Sequence, residues 1–148
     1  LIGDAHAALG DPRRAEAAYA AVEAGYAENP EPYARQWTQF RLDHRRALPR
    51  TLAVLAEEAR GRPDALGADM LAWALYLSGD HAAAREASRR ALRMGTQDAS
   101  FFYHAGMIER ALGNQEEARR HLRRALRVNP RFHPAFADSA RAALRAMR

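Results

Sequence analysis

A chain of 148 residues, 48% of them apolar, is long enough to bury a sizeable core. It contains no cysteine, which excludes disulfides and thiolate metal sites and leaves the redox compartment open, and it has no apolar run near the roughly 20 residues that span a bilayer. All 23 basic residues are arginine, and the net charge of +5 is uneven: 13 Arg face 14 acids up to residue 98, and 10 Arg face 4 acids beyond it. A basic half can select a polyanionic partner, although a preference for Arg wherever a cation is needed is the simpler account.

Much of the apolar content is alanine, which suits closely packed helices and argues against a β-sandwich. Leu1-Ile2-Gly3-Asp4 has neither the basic start nor the apolar core of a signal peptide. With no initiating Met, the chain reads as a piece of a longer protein that begins inside a helix ending near Leu9. Gly10-Asp11-Pro12 closes that helix and opens the next, with Asp11 as N-cap. Ala15, Tyr19, Val22 and Tyr26 line one face of this second helix, which should run to about Ala27 and stop before Asn29-Pro30. Glu31 to about His44 predicts a third helix, with Tyr33, Trp37 and Phe40 on one side. A fourth starts near Pro49, carries Leu52, Leu55, Ala56 and Ala59 as its apolar stripe, and ends at Gly61 and Pro63.

Asp64 caps a helix to Ser78, Asp80 caps one from His81 to Met94, and Asp98 caps one from Ala99 to Leu112. Asn114 opens the next, with Glu117 in capping-box position, and that helix stops before Asn129-Pro130. His133, between prolines, reads as a turn residue. Pro134 to Met147 forms a last helix whose face of Phe136, Ala140, Ala143, Leu144 and Met147 would cover the open end of a stack.

A shift of 34 residues lays Ala84-Arg85 on Ala118-Arg119, Gly79 on Gly113, and Arg89-Arg90-Ala91-Leu92-Arg93 on Arg123-Arg124-Ala125-Leu126-Arg127. Self-similarity at such a period marks stacked repeats, here helix, turn, helix. Phe102, Ala105, Gly106, Ala118, Leu122, Ala125 and Pro130 carry a resemblance to the tetratricopeptide repeat; Leu71, Ala72, Leu75, Ala84 and Ala91 do so in the preceding unit. Ile2, Gly3, Gly10, Ala15, Tyr19 and Val22 continue the pattern in the first unit. Glu109 stands where the pattern has an aromatic, and Ser88 and Thr96 stand where it has Leu and Pro. The resemblance implies an all-α solenoid of helix pairs in one domain. Its repeats would be 1–29 (truncated), 30–64 (drifted), 65–98 and 99–132, with a capping helix at 134–147. Gly3 and Gly106 would sit where paired helices approach closely.

The same resemblance implies a concave groove, lined by first helices, that holds a peptide or partner helix. Carried onto this chain, the groove positions are Leu66, Asp69, Met70, Trp73, Tyr76 and Leu77, then Ser100, Tyr103, His104, Met107 and Arg110, with Arg35, Thr38 and Arg41 from the earlier pair. Burial of Trp73 and Tyr103 between helices is the competing reading. The carboxylate clamp of some family members needs Lys in this groove, and the chain has none.

Arg89, Arg93, Arg123, Arg124 and Arg127, with Arg90 beside them, should form an outer ridge that Arg85 and Arg119 extend. Glu86 and Glu116 are placed to pair with nearby arginines. The ridge could hold a polyanion such as nucleic acid, but no aromatics interleave with it for base stacking, and a solvated cationic face is the plainer account. Self-association through the exposed Ile2 and Leu9 is a third reading. The six histidines show no metal-ligand spacing, no serine sits in a nucleophile elbow, Glu57-Glu58 reads as solvated surface, and no Gly-rich loop carries a Lys. The sequence therefore points to a non-catalytic binding scaffold without cofactor, metal or membrane span.

Overall fold

The computed structural model describes residues 2–28, 34–61 and 64–147. Among them lie nine α-helices and no strand, in the helix-pair order of a repeat solenoid. They are α1 (Ile2–Ala8), α2 (Pro12–Glu28), α3 (Ala34–Asp43), α4 (Leu48–Gly61), α5 (Ala65–Leu77), α6 (His81–Arg93), α7 (Ala99–Ala111), α8 (Gln115–Val128) and α9 (Pro134–Ala146). The expected Asn29-Pro30 break, Tyr33 and Pro63 lie outside the described residues. The chain forms two compact units, Leu1–Phe40 and Arg41–Arg148.

In the first unit the Asp11 carboxylate accepts the Arg14 backbone N–H at 3.0 Å and caps α2. Gly3 lets α1 lie against α2: a Cβ there would stand 2.3 Å from the Tyr19 ring. The Tyr19 hydroxyl donates to Asp4 Oδ1 at 3.1 Å, tying the two helices across the same contact. Tyr26 packs on Trp37 at 4.8 Å between centroids, and Trp37 stacks on Phe40 at 5.7 Å.

In the second unit the pairs α5–α6 and α7–α8 share one construction. Asp64, Asp80 and Asp98 each accept a backbone N–H from the first turn that follows, at 2.8, 3.0 and 2.7 Å. Gly79 (φ 89°) and Gly113 (φ 81°) make the two turns in the left-handed region, where a side chain would be strained. Ala84, Ala87 and Ala91 on α6, and Ala118 and Ala125 on α8, are fully buried and allow close helix approach. Leu42, Leu55, Met70, Ile108 and Leu122 fill the space between. Alanine and glycine thus set the helix spacing while a few large side chains supply most of the apolar area.

Asn114 is the N-cap of α8, but it makes no side-chain cap bond. Its Nδ2 donates instead to Glu109 Oε2 at 2.6 Å, while Glu117 pairs with Arg120. The expected capping box is therefore absent, because both partners have stronger charged engagements elsewhere. His133 is the N-cap of α9: its Nδ1 accepts from the N–H groups of Ala135 and Phe136 at 3.2 and 3.3 Å.

Candidate functional site

The first helices α5 and α7 and the terminal α9 meet along one aromatic seam. Trp73 is sandwiched between Tyr76, at 4.7 Å, and the His104 ring, at 4.3 Å. Tyr103 stacks on Phe136 of α9 at 4.9 Å, and Phe136 stacks on His133 at 4.0 Å. Phe132 closes on Tyr103 at 5.6 Å, and Tyr103 shares a 3.1 Å hydroxyl bond with Ser139. Burial pushes the Tyr103 phenol above its ordinary pKa.

Beneath the seam, His104 Nδ1 and Asp69 Oδ2 share a hydrogen bond of 2.8 Å. Asp69 Oδ1, His104 Nε2 and Trp73 Nε1 are buried with no hydrogen-bond partner.

The residues of the expected groove thus divide in two. Asp69, Met70, Trp73, Tyr103 and His104 are buried, so the competing reading of Trp73 and Tyr103 as packed between helices describes their position. Their face is closed by α9, whose Phe136 lies within 5.8 Å of Trp73 and 4.9 Å of Tyr103. Leu66 and Arg110 are exposed, and Tyr76, Leu77, Ser100 and Met107 are half-buried. Phe132 and Phe136, half-buried on the same seam, are additions to the expected groove set: Phe132 is the last residue of the 99–132 repeat and Phe136 stands on the terminal helix. Their aromatic spacing relative to Pro130 and Pro134 was the available signal.

The basic residues of the expected ridge are engaged to different degrees. Arg85 turns inward to bind Glu109, Nε to Oε1 at 2.9 Å, across α6 and α7. Arg89 pairs with Glu86 at 3.3 Å, and Arg119 pairs with Glu116 and donates to the Met147 carbonyl. Arg124 lies over the Phe102 ring at 5.0 Å and bonds Gln97. Arg89 and Arg93 of α6 and Arg120, Arg124 and Arg127 of α8 line a cleft, and Arg123 lines an adjoining hollow with Glu116 and Arg119 that shares Glu117, Arg120 and Arg127 with the cleft. His121, in that cleft, is held below its ordinary pKa by burial and then by the Arg120 charge. Glu116 is lowered by its bond to Arg119.

Among the described residues no helix is long and apolar enough to cross a membrane. No curated protein and no solved structure matches the chain. Residues 99–132, the α7–α8 hairpin with its close Gly106 contact and buried Ala118 and Ala125, match the tetratricopeptide repeat family. Repeats of this family generally act as protein–protein interaction modules. The α5–α6 hairpin is built like the matched one, and the all-helical order of the described residues is consistent with a tetratricopeptide-like helical repeat.

Proposed function

We propose that the chain is a non-catalytic scaffold that binds a protein or peptide through the face of α5, α7 and α9. The observation that supports this is the division of the face into a rigid interior and an open strip. Asp69, Trp73, Tyr103 and His104 lock the helices together from within. Tyr76, Met107, Phe132 and Phe136 remain half-exposed above them, bordered by exposed Leu66 and Arg110. An apolar strip on a fixed backbone binds with little ordering cost, and one arginine at its margin can orient an acidic group of the ligand.

The test is a display selection of random peptides on the folded chain, with each selected peptide measured against a Tyr76→Ala/Met107→Ala variant. Loss of binding by about tenfold or more, with circular dichroism unchanged, supports the strip as the working surface. Selected peptides that bind the variant equally would overturn it.

A further inference from the structure

The second helices α6 and α8 do more than back the repeats. Between them runs a cleft of two adjoining hollows, about 540 and about 310 Å³, that share Leu92, Arg120 and His121. Helix α7 forms its floor through Phe102 and Glu109. Six arginines line the cleft, Arg85, Arg89 and Arg93 from α6 and Arg120, Arg124 and Arg127 from α8, against two glutamates, Glu109 and Glu117.

The two glutamates neutralise only part of this charge. Glu109 holds Arg85, Glu117 holds Arg120, and Glu86 outside the cleft holds Arg89. No carboxylate pairs with Arg93, Arg124 or Arg127 among the described residues, and these three stand toward the C-terminal ends of their helices. Beside them lie half-buried Leu92 and the Phe102 ring under the Arg124 guanidinium.

We propose that this cleft is a second binding site, on the opposite layer of the repeats from the aromatic strip, for an acidic polypeptide segment carrying an apolar side chain. Its carboxylates pair with Arg93, Arg124 and Arg127, and its apolar group lies against Leu92 and the edge of Phe102. Planar guanidinium groups in a cluster recognise carboxylates in this manner. A polypeptide fits better than nucleic acid for two reasons. Phe102 is only 8% exposed and covered by Arg124, so no ring face is open for base stacking. Glu109 and Glu117 interrupt the wall, and a phosphate at every step along a strand would meet them, whereas a peptide can place its charges selectively.

The probe is a fluorescently labelled decapeptide of glutamates with one central leucine, titrated by anisotropy at about 0.1 M salt. The expected result is saturable binding that Arg93→Gln/Arg127→Gln weakens about tenfold or more. An Arg50→Gln/Arg60→Gln variant, which removes the same charge from α4, should leave binding within about twofold. Replacing the peptide's leucine with serine should weaken it too, and the His121 ring resonances should move on binding. Tyr76→Ala/Met107→Ala should bind this peptide as the unaltered chain does, so failure here and failure of the aromatic strip are separable. No binding, equal losses in the two arginine variants, indifference to the leucine, or tighter binding of a single-stranded oligonucleotide that depends on Arg93 and Arg127 would each overturn the proposal.

Discussion

His104 Nδ1 stands 2.8 Å from Asp69 Oδ2, with His104 only 1% and Asp69 2% exposed. The two residues join α5 to α7, one repeat to the next, inside an apolar interior. A buried polar pair of this kind is costly to break and cheap to replace whole, because removing one partner strands the other without water. Asp69→Leu or His104→Leu alone should therefore destabilise the second unit by about 3–5 kcal/mol, while Asp69→Leu/His104→Leu should cost clearly less than the two single substitutions summed. Urea unfolding of the four proteins in a double-mutant cycle measures this. Additive losses would mean that the two side chains do not support each other.

Gly106 gives the sharpest steric case. A Cβ there would lie 2.6 Å from Leu122 Cγ and 3.2 Å from the Leu122 backbone nitrogen. The side chain can shift but the backbone of α8 cannot do so freely. Gly106→Ala should cost about 1–3 kcal/mol despite alanine's better helix propensity, and Leu122→Ala should fail to restore it fully because the backbone contact remains. Thermal melts of the single and double variants decide the point. A stabilised Gly106→Ala would show that the helices separate without penalty.

Much of this was legible in the repeat itself. The 34-residue register places Gly106 against the second helix, fixes the alanines at the close contacts, and gives the turns at Gly79 and Gly113. The same register set Asp69, Trp73 and His104 on the groove side of their helices, but could not tell a groove wall from a sealed seam. That depended on how closely α9 packs, bringing its Phe136 against Trp73 and leaving Phe132, the last residue of the repeat, against Tyr103. The Arg85–Glu109 pair was hidden for a different reason. Glu109 was visible as a departure from the family's aromatic, yet its partner lies 24 residues away on another helix, at a distance that only packing fixes.

Trp73 and Tyr103 consequently belong to stability more than to recognition. Each is less than 5% exposed, and each touches rings from α5, α7 and α9. Trp73→Ala should cost about 3–5 kcal/mol and lower the unfolding midpoint steeply. Tyr103→Phe keeps the ring but leaves the Ser139 hydroxyl without its bond, and should cost about 1 kcal/mol. Denaturant titration followed by circular dichroism measures both. A Trp73→Ala protein as stable as the parent would return that residue to the binding surface.

His121 ties stability to pH. Burial first, and the neighbouring Arg120 charge second, hold its pKa below the ordinary value, with Glu117 and Glu109 opposing them. The unfolded chain takes up the proton near pH of about 6.5, before the folded one does. The folded state is then favoured above that pH, and the contribution of His121 is lost as pH falls toward the folded pKa. His121→Phe, which keeps a ring beside Phe102 where the imidazole now stacks at 6.4 Å, should remove this part of the acid sensitivity. The urea midpoint should accordingly fall less between pH of about 7.5 and about 5 in the variant than in the parent. Arg120→Gln should raise the His121 pKa, read from the ring resonances in an NMR titration, by relieving the repulsion. An unchanged titration in that variant would assign the whole shift to burial, and an equal pH slope in His121→Phe would place the acid sensitivity at other groups.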